Sequence, residues 1–281
     1  MIDKLLKYDT RDPLHLLYNA AQLLSNYDLT NKLVVYTAIF DDYDQLNEPK
    51  SYDPSIDYVC FTNNLNVKSN KWKIVTVNAL YRDPRRSARL FKLFPHLLFP
   101  KHDISVWVDG SCRICGDVKN FIYANISSKI LLFSHPERNC VYEEAKVCLS
   151  KVKDDPDLIR AQIDAYRAKG YPFNHGLIAS GIIVRLHNES DIIHLMEAWF
   201  CEIDMYSARD QLSFNYCAWL TGSYFTLLHK NIFKNDVFHF VDHRKWVFYN
   251  KSGCAIRNLR ILVSRIYCKT ASAIKTLTTW N

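Results

Sequence analysis

Apolar residues along this chain fall alternately into short unbroken runs and longer stretches with helical spacing. Leu33-Val34-Val35-Tyr36-Thr37-Ala38-Ile39-Phe40 is a continuous run rich in β-branched side chains. That is the pattern of a strand buried on both faces, as in a parallel sheet. Asp57-Tyr58-Val59-Cys60-Phe61-Thr62 repeats it and ends in Asn63-Asn64. Residues 72–77 alternate as a third strand, and 104–108 run directly into Asp109-Gly110-Ser111. Residues 129–133 and 176–185 complete the predicted strands. Asp12-Pro13 and Asp155-Pro156 each pair a capping carboxylate with a proline at the first helical position. The first of these helices puts Leu14, Leu17, Ala21 and Leu24 on one face. The other runs through Ile159, Ile163 and Tyr166 and stops at Gly170. Further helices are expected over 82–98, over 190–204 with Ser190 as cap, and over 209–220. Strands alternating with helices predict an α/β fold with a mainly parallel sheet.

No internal repeat or low-complexity linker interrupts this pattern. A single domain over 31–250 is expected, preceded by a helical segment (1–30) and followed by a basic tail (251–281). The tail sets Arg257, Arg260, Arg265, Lys269 and Lys275 beside Leu259, Ile261, Leu262, Ile266 and Ile274. It reads equally as an amphipathic helix touching an anionic membrane and as a last helix packed on the core. A chain of 281 residues buries enough surface to need no disulfides. Its nine cysteines sit mostly inside apolar runs, as reduced thiols do, which points to a reducing compartment. Cys112-Arg-Ile-Cys115 lacks the second pair a zinc site needs and reads as structural. The first residues carry charges throughout, and no stretch approaches the roughly 18 apolar residues that span a bilayer. A cytoplasmic protein, at most peripheral at the inner membrane through its tail, is the expected setting.

Lys and Arg number 36 against 29 Asp and Glu, an excess of +7 that suits an anionic ligand or surface without choosing between them. The chemistry is expected at the carboxyl ends of the strands, where an open α/β sheet binds ligands. Three polar clusters fall there: residues 41–44, Asn63-Asn64 and Asp109-Gly110-Ser111. A carboxylate released from a buried strand is well placed to hold Mg²⁺ or Mn²⁺, or simply to turn the chain. Arg85, Arg86, Arg89 and Lys92 lie close together on the preceding helix and suit a pyrophosphate. A solvated basic face is the plain alternative, and Arg89, nearest the apolar stripe, is expected to reach inward. The Walker A loop, the G-x-G-x-x-G turn and the G-x-S-x-G elbow are absent. Nucleic acid is not an expected partner, because no recognition module stands out and the acidic loops repel phosphate.

Several motifs together carry a family resemblance. They are Val34 to Ile39 with Phe40-Asp41-Asp42-Tyr43-Asp44, then Asp57 to Thr62, Asp83-Pro84-Arg85-Arg86-Ser87-Ala88-Arg89 and Trp107-Val108-Asp109-Gly110-Ser111. They continue with His135-Pro136-Glu137-Arg138-Asn139-Cys140-Val141-Tyr142-Glu143-Glu144-Ala145, Ala179-Ser180-Gly181 and Arg209-Asp210-Gln211-Leu212-Ser213-Phe214-Asn215. Over about residues 33–248 the chain resembles the glycosyltransferase-like domain of plant turgor-regulation-defect and mucilage-related proteins and their bacterial relatives. It is more distantly similar to retaining nucleotide-sugar transferases of the glycogenin and galactosyltransferase kind. The resemblance implies a GT-A-like fold, a nucleotide-diphosphate sugar donor, Mn²⁺ or Mg²⁺, and a glycan or lipid-linked acceptor, as in surface polysaccharide synthesis. Thr37, Ala38, Tyr43 and Asn63 would then hold base and ribose. Arg85, Arg86, Arg89, Asp109, Gly110, Ser180 and Gly181 would hold diphosphate and sugar. Asp210 and Gln211 would face the sugar; the Asp-Gln similarity favours retaining chemistry, and for an inverting enzyme Asp210, Glu143 and Glu144 are the options for deprotonating the acceptor. Asp109 and Ser111, with His239 or His243, would hold the metal. Ser111 replaces the second aspartate of the usual Asp-x-Asp, so one carboxylate is missing. Two alternatives are a metal-dependent hydrolase acting on a lipid amide, ceramidase-like, and a non-catalytic glycan- or nucleotide-binding module.

Overall fold

In the computed structural model, which describes residues 13–241, the strands are β1 (Leu33–Ile39), β2 (Asp57–Thr62), β3 (Lys73–Thr76), β4 (Ile104–Val108), β5 (Cys112–Ile114), β6 (Ile130–Ser134), β7 (Ile178–Arg185), β8 (Thr226–Leu228) and β9 (Phe238–Phe240). Seven of them form one sheet in the order β3-β2-β1-β4-β7-β6-β8, and β5 pairs with β9 in a small second sheet. The pairs β1–β2, β1–β4, β2–β3 and β6–β8 are parallel. β7 runs antiparallel to both its neighbours, β4 and β6. Six strands therefore end at one edge, and the start of β7 lies at that same edge.

The helices are α1 (Pro13–Leu24), α2 (Pro84–Leu93), α3 (Pro95–Leu98), α4 (Val118–Asn125), α5 (Val141–Ser150), α6 (Pro156–Ala168), α7 (Ser190–Met205) and α8 (Phe214–Thr221). β1 explains the layering. Its even-numbered residues Val34, Tyr36 and Ala38 enter the core shared with all helices except α4, while Leu33, Val35 and Ile39 enter a second core with α4, β5 and β9. Successive side chains on a strand point to opposite faces, so a strand covered on both sides shows no polar alternation. The α/β architecture and the main strands are as expected. Arg185 on β7 is fully buried and donates to Lys92 O at 2.7 Å, the same carbonyl that accepts from the Tyr36 hydroxyl at 2.8 Å. That stitch fixes α2 against the middle of the sheet.

Four expectations need correction. The helix over 82–98 is two helices, broken at Phe94 because Pro95 lacks an N–H and clashes with the preceding turn. The segment 209–220 opens with a 3-10 turn, Asp210–Leu212, before α8 begins at Phe214. α1 buries Leu16, Leu17, Ala20 and Leu24, a face rotated from the expected one, which leaves Leu14 and Ala21 half-buried. Glu189, not Ser190, occupies the cap position of α7, without a side-chain cap bond.

Within the helical layer, the Tyr166 hydroxyl donates to Glu202 Oε2 at 2.8 Å. Burial pushes the Glu202 carboxyl up to about 7, with that hydrogen bond working against it. A carboxyl raised on folding binds its proton more tightly in the native state. It costs stability as pH rises from about 4.5 toward 7, and the cost is constant above that. Glu202→Gln is expected to raise the melting temperature at pH 8, by an amount worth on the order of 1–2 kcal/mol. The gain should shrink to nothing near pH 4.5 in paired thermal melts.

Candidate active site at the carboxyl edge of the sheet

β4 releases Asp109 at the sheet edge, where its backbone N–H donates to Gly181 O of β7 at 2.8 Å. Strand alternation sets Trp107 and Asp109 on one side, and the Trp107 indole N–H donates to Asp109 Oδ1 at 2.7 Å. Gly110 and Gly181 leave room for side chains packed directly on them. A Cβ at Gly110 would stand 2.8 Å from Ile39, and one at Gly181 would stand 2.7 Å from the Phe240 ring.

Arg89 and Lys92 sit three residues apart on α2 and so share a face. Lys92 Nζ donates to Asp210 Oδ2 at 2.6 Å and to Ser180 O at 2.7 Å, and stands 3.7 Å from Asp109 Oδ1. The ammonium lies 5.5 Å from the Trp107 ring centre and 5.8 Å from that of Trp199, a cation–π position on both. Arg89 Nε reaches the same Asp210 oxygen at 2.8 Å. Exposure increases outward: the Lys92 side chain is 0% exposed, Asp210 3%, Arg89 12% and Asp109 28%. A ligand therefore meets Asp109 and Arg89, with Lys92 and Asp210 behind them. Burial alone would raise the Asp210 carboxyl, yet the Arg89 and Lys92 charges hold it well below the usual carboxylate range. Burial pulls the Lys92 ammonium down while Asp210 and Asp109 resist.

Arg85, Arg209, Gln211 and Tyr43 surround this centre. Arg85 pairs with Asp83 at 2.8 Å and donates to Lys153 O at 2.9 Å, and Arg209 donates to Gln211 Oε1 at 2.9 Å. Burial raises the Tyr43 phenol, with Arg85, Arg89 and Arg209 acting against it. The adjoining loop is held in an uncommon shape. Asp41 and Asp42 both take the left-handed conformation, with φ of 52° and 53°. Asn63 exchanges two 2.9 Å hydrogen bonds with Asp41, and Asn64 donates to Asp42 Oδ1 at 2.5 Å.

The structure thus brings Tyr43, Arg85, Arg89, Asp109, Gly110, Ser180, Gly181, Asp210 and Gln211 to one place. Others go elsewhere. Arg86 donates to Ile203 O and Tyr206 O at the end of α7, where cations satisfy the last carbonyls. Thr37 and Ala38 are buried within β1. Asn63 serves the Asp41 loop. Ser111 is buried, and its carbonyl accepts from Val241 N. In β9 it is Phe240 that approaches Gly181 and Asp109, so alternation turns His239 to the opposite side. His243 and the basic tail lie outside the described residues. Among the described residues, no group of three His, Cys, Asp or Glu side chains is gathered around one point. No described helix is long and apolar enough to cross a membrane.

A second feature lies along the same edge. Beyond β6 and the start of β7 runs an open groove of about 740 Å³, lined by His135, Arg138, Asn139, Glu143, Asn174 and His229 among others. Under its wall, Glu144 is fully buried and pairs with Arg138 at 2.7 Å and Lys153 at 3.2 Å. Burial works against the Glu144 carboxylate, but Lys153 and Arg138 hold it below its usual range. Glu143, its neighbour on α5, is exposed. Sequence reasoning missed Trp107, Trp199 and the structural role of Lys92. The signals were a tryptophan two before Asp109 and a lysine three after Arg89.

The chain belongs to the TOD1/MUCI70 glycosyltransferase-like domain family, whose model matches residues 22–246. It is 28% identical over 213 residues to the probable hexosyltransferase MUCI70 of Arabidopsis thaliana, covering 65% of this chain and 36% of that protein. It is 25% identical over 219 residues to the alkaline ceramidase TOD1 of the same plant, covering 65% of this chain and 47% of that protein. The chain spans less than half the length of either relative. Among solved structures, the apo WbbM bifunctional glycosyltransferase aligns over 72% of this chain and 39% of its own, at TM-score 0.40 and 12% identity.

The paired charges make a stability prediction. Asp210→Ala leaves Lys92 buried without its counter-charge and is expected to cost about 3–5 kcal/mol in urea unfolding. Lys92→Met in an Asp210→Asn background should cost less than the two single changes added together, as a double-mutant cycle reads directly.

Proposed function

We propose that this domain transfers a sugar from a nucleotide-diphosphate donor to an acceptor hydroxyl. The observation that carries the reading is Asp109. Its Oδ1 accepts from the Trp107 indole, its Oδ2 takes no hydrogen bond from any described residue, and it opens onto the Arg89–Asp210–Lys92 cluster at the edge where α/β sheets bind ligands. Family membership supports the reaction class, and the hexosyltransferase relative supports hexose as the sugar.

Breaking a sugar–phosphate bond places negative charge on the departing diphosphate, so preorganised cations are the main catalytic need. Arg89 is positioned for that task. Asp210 orients its guanidinium, and Lys92 fixes Asp210 from below. Arg85, anchored by Asp83, would extend the cationic rim toward the nucleotide. Asp109 is the residue that would hold Mg²⁺ or Mn²⁺, which commonly take one or two carboxylates together with substrate phosphates. Such an ion, when bound, supplies further charge neutralisation of the diphosphate. Acceptor deprotonation falls to Glu143 among the three carboxylates considered. Asp210 and Glu144 are buried with their carboxylates committed to cations, which lowers both and leaves them unavailable to an acceptor. Glu143 faces the groove.

A thermal-shift screen of nucleoside diphosphates and nucleotide sugars, with and without Mn²⁺, tests this reading. One nucleotide at a hundred times its Kd should stabilise the chain by about 2.7 kcal/mol. The shift should depend on the metal, vanish in Asp109→Asn and weaken in Arg89→Ala. Folded protein that responds to no nucleotide, but releases fatty acid from ceramide, would replace the transferase with the amide-hydrolase reading that the ceramidase relative suggests.

A further inference from the structure

We propose that the groove between β6, β7 and β8 is an oligosaccharide site that takes a neutral, hydroxyl-rich chain. Four observations lead there. The first is position. Gly176 and Leu177 line the groove directly before β7, which reaches the charged centre at Ser180 and Gly181. Three residues of extended strand span about 10 Å, so a chain lying in the groove ends close to Asp109 and Asp210. The segment 210–215 makes the same link, because Asp210 serves the centre while Asn215 lies against Gly176 and its Oδ1 accepts from Ile178 N at 3.0 Å.

The second is lining chemistry. His229, Asn139 and Asn174 each offer both donor and acceptor atoms and Asn231 adds an amide donor, which matches hydroxyl groups that also do both, while His135 is spent on the backbone of Glu137 and Arg138. The apolar members, Pro136, Leu177 and Leu227, are interleaved with these polar ones, as suits a sugar with both hydroxyls and C–H faces. The third is charge. Glu137 and Glu143 balance Arg138 and Lys230, and Arg138 is already committed to Glu144 and Glu137. An anionic chain finds no net attraction here, in contrast with the cationic rim beside Asp109. A volume of about 740 Å³ is in the usual range for a ligand site.

The fourth is an aromatic face at the rim. Phe173 packs against Tyr142 at 4.3 Å between ring centres, yet is 65% exposed. Each ring is the sequence neighbour of a lining residue, Asn174 and Glu143. Asn174 takes a φ of 53° and Gly176 one of 82°, left-handed positions that suit these two residue types, in the turn that presents the Phe173–Asn174 lip. The exposed ring face carries a negative quadrupole and apolar surface, suited to the C–H face of a pyranose. The role as acceptor rests on the transferase reading above; the binding itself does not.

Saturation-transfer NMR on the full chain, with neutral gluco-, manno-, galacto- and xylo-tetrasaccharides, reads the site directly. At least one tetrasaccharide should receive saturation, most strongly on its C–H protons. Phe173→Ala with Asn139→Ala, both at exposed positions, should weaken its binding by at least about tenfold, the size of a lost stack and hydrogen bond together. Nucleotide-induced thermal shifts should be unchanged in that variant. No transfer to any of the four sugars, or transfer that the double variant leaves intact, overturns the proposal. So does a variant that loses binding to ceramide-containing vesicles instead. A groove-dependent sugar signal in protein that binds no nucleotide would keep the site and remove only its acceptor role.

Discussion

Lys92 carries an ammonium group to the centre of the molecule, and a buried charge is tolerable only if its surroundings are arranged for it. Three separate parts of the chain meet that demand. Asp210 supplies the counter-charge, Ser180 a carbonyl, and Trp107 and Trp199 two ring faces. The lysine backbone is pinned in turn by Tyr36 and Arg185. Asp109, Arg89 and the 3-10 turn at Asp210 take their places around this one group. The site is rigid for the same reason that it is costly: no member can move without stranding a charge.

The edge of the sheet holds two environments of different electrical character. Around Asp109, cations are gathered and partly open to solvent. In the groove, polar groups are mixed and charges cancel. A physical chain joins them. Arg85 donates to the carbonyl of Lys153, the Lys153 ammonium meets Glu144, and Glu144 holds Arg138 in the groove wall. The run from His135 to Ala145 is thus explained as a structural unit. Its buried Glu144 organises basic residues on two sides, while exposed Glu143 faces the groove. Family membership establishes the scaffold, and what each environment does has to be argued from its own residues.

Much of this was legible in the linear pattern. Strands such as β1 and β2 announce themselves because burial on both faces leaves an unbroken apolar run. Asp109 stands out because a carboxylate directly follows such a run. Arg89 was expected inward because it borders the apolar stripe of its helix, and it does point inward. β5, β8 and β9 were not legible, since three residues are too few to establish a period. Arg86 resembles Arg85 on paper, but each residue turns a helix by about 100°, which sends it to the end of α7 instead.

What the sequence determined by itself was the class of fold, the order of the main strands and helices, and the edge where chemistry belongs. Those follow from local burial patterns and from which strand ends carry polar residues. Only the tertiary structure decided which charges are buried against partners and which stand open at that edge. Lys92 reads as one member of a basic helix face, open to a pyrophosphate or to solvent, until Asp210, 118 residues later, is folded against it. Asn63 is spent on a loop, and His239 is turned away by the alternation of its strand. A side chain's role depends on the partner that solvates its charge, and that partner is chosen by packing in space, not by spacing along the chain.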